Sequence, residues 1–189
     1  MRDLPHSLTD QFMDLGYHVF ILSTQSPDIE KTRPILFATV LALLLLTQAG
    51  YRVLVHGADG HTAGRLYTEQ ALRHLGLPVA ANWAEVGNQL DSGGLSYLPL
   101  RHFCRPLHEL IQLRPLLGLR SPVNTLTRML NPLRAPSSIQ SIFHPAYAAL
   151  HQEADRLLGQ PRAMVFKGDS GEVEIKPQVD KYTIDGKDV

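Results

Sequence analysis

Apolar residues in this chain fall into short clusters of two different periods. Tyr17–Leu22 and Tyr51–Val55 are brief runs rich in β-branched and aromatic side chains, and each reads as a buried strand. Between them Ser23–Pro34 is a polar loop, and Pro34 opens the apolar run Ile35–Gln48, which Gly50 stops. That run reads as a helix buried inside the fold. Its strongly apolar core, Ile35–Leu46, is shorter than the roughly 20 residues a bilayer span needs. Thr68–Leu75 has the spacing of an amphipathic helix ended by Gly76, and Trp83–Asp91 of another. Gly93-Gly94 breaks the chain before a strand at Leu95–Leu98.

From Pro106 onward, Leu107, Leu110, Ile111 and Leu113 line one helical face. Ser121-Pro122 supplies an N-cap and first-turn pair for a further helix that Asn131-Pro132 ends. Ile139–Phe143 reads as a strand, His144-Pro145 as a helix start running to Gly159, and Ala163–Lys167 as a last buried strand before a turn at residues 168–171. Alternation of strand and helix predicts an α/β fold with a central, largely parallel sheet flanked by helices. Residues 1–16 form a poorly defined N-terminal segment and residues 179–189 a loosely ordered tail, leaving 17–178 as the domain.

The segment Val53–Leu66 carries the most chemistry. A strand runs into Gly57-Ala58-Asp59-Gly60-His61-Thr62-Ala63-Gly64-Arg65 and then into a helix. Backbone N–H groups and a guanidinium at the mouth of a helix hold anions readily. Gly57, Gly60, His61, Thr62, Gly64 and Arg65 are therefore candidate phosphate-binding residues. The alternative is a plain strand–helix connection whose turns need glycine.

Charge refines this picture. Net charge is zero, yet residues 101–134 hold Arg101, Arg105, Arg114, Arg120, Arg128 and Arg134 against Glu109 alone. A block built from arginine suits bidentate phosphate contacts, and it makes Arg101, Arg105, Arg120, Arg128 and Arg134 candidate nucleic-acid contacts. A solvated helical face is the competing reading, and zero overall charge weighs against a strong nucleic-acid binder. Cys104 is the single cysteine, which excludes an intramolecular disulfide and fits a reducing compartment. The first sixteen residues carry no secretory pattern, so the expectation is a cytoplasmic protein with no membrane partner.

Several stretches resemble the anthranilate phosphoribosyltransferase group, glycosyl transferase family 3. Leu117–Asn124 followed by Leu130-Asn131-Pro132-Leu133 is similar to the family's LG-x-R-T-x-x-N…L-x-N-P segment, Val55-His56-Gly57 to its K-H-G-N turn, and Phe166–Glu174 to its G-x-x-G-x-D-E stretch. His61-Thr62-Ala63-Gly64-Arg65-Leu66-Tyr67-Thr68-Glu69 looks most like a paralogous, YbiB-like branch, some of whose members are nucleic-acid-binding dimers. Order and spacing agree over roughly residues 17–178.

The resemblance implies a partial phosphoribosyltransferase-type large domain, apparently truncated at both ends. Such a piece is expected to expose surface that other parts of the fold cover. It also implies an altered site. The family's glycine-rich pyrophosphate loop corresponds to Ser23–Asp28, which has no glycine; its lysine and asparagine around the His-Gly turn correspond to Val55 and Ala58. Of its magnesium-holding acidic pair only Glu174 remains, beside Val173. Arg114 corresponds to the arginine that engages the aromatic substrate, whereas a family histidine ten residues earlier is Cys104.

Ordinary anthranilate phosphoribosyl transfer is therefore not expected, and no residue is assigned a catalytic role. The expectation is a chain that binds nucleic acid, tolerant of sequence, or another phosphate-bearing ligand such as a phosphorylated sugar. A transferase acting on a different acceptor is the alternative, with magnesium required only in that case. Intact members of the family are expected to be homodimers.

Overall fold

The computed structural model describes residues 17–21, 29–59, 66–117, 122–142, 144–167 and 181–183. Five parallel strands form its centre: β1 (Tyr17–Ile21), β2 (Arg52–Gly57), β3 (Leu95–Pro99), β4 (Ser137–Ile142) and β5 (Arg162–Lys167). A short β6 (Lys181–Thr183) adds antiparallel to β5, giving the order β3-β2-β1-β4-β5-β6. Part of the tail predicted to be loosely ordered is thus an edge strand. Three residues carry no readable period, and their pairing depends on β5, so nothing local marks them.

Helices α1 (Ile29–Gln48), α2 (Thr68–His74), α3 (Trp83–Gly93), α4 (Leu100–Phe103), α5 (Arg105–Gln112), α6 (Arg114–Leu117), α7 (Val123–Leu126) and α8 (Ala148–Leu157) complete the described elements, with 3-10 turns at Thr127–Met129 and Pro145–Tyr147. The alternation read from the sequence is the alternation observed. The helix predicted after Ser121-Pro122 is instead two short turns, and α1 begins six residues earlier than predicted, taking in Pro34. Proline's fixed φ suits a helix, so it costs one backbone bond there rather than ending the element.

β2 lies inside the sheet, between β3 and β1, and its burial shows it. Val53, Leu54 and Val55 are all fully buried, because a parallel strand is covered on both faces. Leu54 packs with Ala80, Val86, Leu90 and Leu98 on the α3 side. Val53 and Val55 pack with Val40, Leu43, Leu72 and Tyr97 on the side of α1 and α2.

Helix α1 is not wholly buried, contrary to the expectation from its composition. Leu36, Val40 and Leu43 are buried, the last two against β2 and β3, but Phe37 is 65% exposed, Leu41 48% and Leu45 56%. The residues are apolar all round, so composition could not distinguish the covered face from the open one. Among the described residues no helix is long and apolar enough to cross a membrane.

Gly94 closes α3 in the left-handed region at φ 72°, its N–H donating to Leu90 O at 3.1 Å. A Cβ there would lie 3.2 Å from Tyr51 O and 3.3 Å from Thr47 Cβ. Gly94→Ala should therefore lower stability by about 1–2 kcal/mol, through both the strained φ and the crowding. A urea midpoint unchanged from wild type would contradict this.

Candidate functional site

The order β3-β2-β1-β4-β5-β6 places a topological switch beside β1, whose neighbours β2 and β4 are reached in opposite directions. In sheets of this kind ligands sit at the carboxyl ends of the strands near such a point. At the same edge of the sheet, one and two strands to the side of that point, the ends of β2 and β3 lead to charged side chains. Asp59 lies two residues beyond β2, and Arg101 two residues beyond β3. Because β2 and β3 are adjacent and parallel, with Gly57 in register with Pro99, the two side chains leave the sheet together.

They meet Glu69 in the first turn of α2. Arg101 clasps its carboxylate with both ends, Nη1 to Oε2 and Nη2 to Oε1, each at 2.7 Å. Arg73, one turn further along α2, donates to Oε1 from Nε at 3.1 Å and Nη2 at 3.0 Å. Arg101 Nη1 also reaches Asp59 Oδ2 at 3.2 Å. Gln112 from α5 donates a short hydrogen bond to the Asp59 carbonyl. The chain leaving β2 is thus held at the Asp59 side chain by Arg101 of α4 and at the Asp59 carbonyl by the Gln112 side chain of α5.

Charge in this cluster is balanced, two guanidinia against two carboxylates. Burial works against ionising Glu69, but hydrogen bonds from Arg101 and Arg73 prevail and hold its carboxyl below the usual range. The same pairing raises the Arg101 pKa. Tyr97, buried beneath on β3, is pushed well up, by burial first and then by the Glu69 and Asp59 charges. The tyrosine stays protonated and is no base.

His56, the histidine of the His-Gly turn, is buried and its ring lies edge-on to Phe103 at 5.3 Å. Its Nε2 donates to Leu130 O at 2.9 Å, a bond spanning 74 residues rather than the local one its sequence position suggests. Burial lowers its pKa to about 4 despite that hydrogen bond. A neutral, enclosed imidazole of this kind ties β2 to the segment before β4, and it is not open to a substrate.

The predicted residues that the structure describes lie on several different elements. Gly57 ends β2 at the site. Gly60, His61, Thr62, Gly64 and Arg65 lie outside the described residues, as do Arg120 and Glu174. Arg101 stands in the cluster, turned toward Glu69. Arg105 pairs with Glu109 at 2.7 Å on the exposed side of α5. Arg128 is only 5% exposed and donates from Nη1 to Ser141 O at 2.9 Å, so its guanidinium fastens the 3-10 turn to β4. Arg134 is exposed in a left-handed turn at φ 49°. Arg114 opens α6, half-buried. Cys104 is half-buried between α4 and α5. The arginine block therefore does not form one basic face among the described residues. Of the predicted apolar stripe on α5 only Ile111 is buried, while Leu110 and Leu113 are open. No group of three or more metal-ligating side chains occurs among the described residues.

Sequence reasoning passed over Asp59, Glu69, Arg73 and Gln112. The i,i+4 pair Glu69–Arg73 was the one legible signal. Arg101 lies 32 residues from Glu69, and no local pattern connects them. Asn131 is explained instead as a turn clamp: its side chain accepts from Ala135 N and donates to Ala135 O, both at 2.8 Å.

Comparison with known proteins sets these residues in context. No family model matches the chain. The YbiB protein of Escherichia coli K12 is 28% identical over 142 residues, 74% of this chain and 44% of its own. An anthranilate phosphoribosyltransferase of Ralstonia pickettii is 23% identical over 179 residues, 92% of this chain and 47% of its own. This chain is a distant homologue of anthranilate phosphoribosyltransferase and YbiB, matching part of each.

The crystal structure of anthranilate phosphoribosyltransferase from Thermus thermophilus superposes with a TM-score of 0.74 at 22% identity, over 97% of this chain and 57% of that one. The α/β sheet described above is thus part of that enzyme's architecture. The chain spans about half the length of the curated relatives it matches.

Proposed function

We propose that this chain binds a phosphate-bearing ligand at the carboxyl edge of its sheet and does not carry out anthranilate phosphoribosyl transfer. The observation that supports this best is the convergence of Arg101 and Arg73 where β2 and β3 end, beside the chain that enters the glycine-bearing loop. Paired guanidinia are the usual means of gripping phosphate oxygens. The relatives' name, which carries a phosphoribosyl group, agrees with a phosphorylated ligand in this fold.

Two features speak against transfer. Val55, Ala58 and the glycine-free stretch 23–28 replace the residues that the enzyme pattern uses for a diphosphate. His56 is sealed by Leu130 and Phe103. A small phosphate-bearing ligand fits better than nucleic acid, because beyond this cluster Arg105 is paired with Glu109 and Arg128 is enclosed, which leaves neither free to extend the site along a backbone.

Calorimetric titration with inorganic pyrophosphate, ribose 5-phosphate and a random single-stranded oligonucleotide tests the reading at roughly 50 and 200 mM salt. The expected result is saturable binding of at least one small phosphate, with the oligonucleotide weaker per phosphate and steeply salt-dependent. No heat from any of the three at the lower salt would remove the proposal.

A further inference from the structure

We infer that Glu69 is an internal stand-in for the ligand, occupying a two-arginine phosphate subsite formed by Arg101 and Arg73. The inference rests on the phosphate-binding reading and specifies which residues hold the anion and what regulates them.

The geometry is that of a filled anion site. One carboxylate receives four N–H bonds, between 2.7 and 3.1 Å, from two guanidinia on different elements. The Glu69 side chain is 8% exposed, whereas those of Arg101 and Arg73 are 31% and 58% exposed. The acid is enclosed and the bases open outward, so solvent reaches the arginines without reaching their partner. Asp59 flanks Arg101 at 3.2 Å, and its backbone is held by Gln112, so it stays in place whatever Glu69 does.

Chemistry then selects the ligand class. A tethered carboxylate competes with an effective concentration in the millimolar range or above. A carboxylate ligand would offer these arginines nothing that Glu69 lacks. A phosphate or pyrophosphate brings more charge and a third oxygen, so it alone can displace the tethered group. Displacement requires Glu69 to turn away from Arg101, which couples ligand binding to the first turn of α2. With Glu69 neutralised, the cluster holds two guanidinia against one carboxylate and accepts an anion without that step.

The test is calorimetric titration of the full chain with inorganic pyrophosphate, comparing wild type, Glu69→Gln, Glu69→Asp and Glu69→Gln/Arg101→Ala, each checked for cooperative unfolding. Glu69→Gln should bind at least tenfold more tightly than wild type. Glu69→Asp, whose shorter carboxylate cannot span both guanidinia, should show a smaller gain and covers the case in which the amide variant fails to fold. Adding Arg101→Ala should erase the gain. Equal affinity of wild type and the folded Glu69 variants overturns the inference, and if both bind, the phosphate reading itself survives. Binding by Glu69→Gln but not by wild type supports the inference while removing the reading for the unmodified chain. A gain that persists without Arg101 also overturns it.

Discussion

Gln140→Leu is expected to lower stability by about 3 kcal/mol, a large part of the roughly 5–15 kcal/mol that holds an ordinary domain together. Gln140 is 1% exposed on β4, and its amide connects two buried titratable groups on α8. Nε2 donates to both carboxylate oxygens of Asp155, at 2.9 and 2.8 Å. Oε1 faces His151 Nδ1 at 2.7 Å. An amide oxygen can only accept, so Nδ1 carries the proton and the imidazole tautomer is fixed.

Leucine fills similar space but leaves Asp155 and His151 without these partners. An uncompensated buried charge costs far more than the bond it lost. Burial already raises the Asp155 pKa against the opposing pull of Gln140, and losing Gln140 raises it further. A second change, Asp155→Asn, removes the stranded charge and should recover at least about 1 kcal/mol. Urea denaturation of the three proteins decides the matter. A loss below about 1 kcal/mol in the single variant would mean that α8 does not depend on this contact.

Acid should destabilise the protein well above the range where carboxylates titrate. His56 and His151 are each 1% exposed, and burial lowers both from 6.5 to about 4, with Arg128 adding to the effect on His151. Unfolded, each imidazole takes up a proton near pH 6.5; folded, neither does until about pH 4. The unfolded chain therefore binds more protons throughout that interval. Stability is full above pH 6.5 and falls as pH drops toward 4, by up to about 1.4 kcal/mol per pH unit for each histidine.

Asp155 acts in the opposite sense. Its raised pKa means that the folded state gains a proton first, which offsets part of the loss at the acid end. The urea midpoint should drop clearly between pH 7 and pH 5, and His151→Gln should have a shallower slope over that interval. A midpoint independent of pH between 7 and 5 would rule out enclosed neutral imidazoles.

Most elements were legible because they depend on local spacing. β2, β3 and β5, and the glycine stops after α2 and α8, follow from short apolar runs between breaks in the pattern and from single residues that tolerate positive φ. The corrections share one cause. Arg128 looked like a surface cation in a basic block, but its guanidinium is enclosed against Ser141 O. Leu110 and Leu113 looked like core and are open. Helix α1 looked buried throughout and is covered on one side. In each case the sequence shows what a side chain is but not which neighbour reaches it.

The sequence by itself determined the α/β alternation and the parallel sheet that buried strands require. Those depend on contacts within a few residues of each other. Tertiary structure decided the strand order, the sealing of His56 by Leu130, and the meeting of Asp59, Glu69, Arg73 and Arg101 at one strand edge. These depend on segments 32 to 74 residues apart being brought together. A salt bridge or a buried hydrogen bond leaves no periodic trace in the chain, so its presence is fixed only when the sheet sets which ends lie side by side.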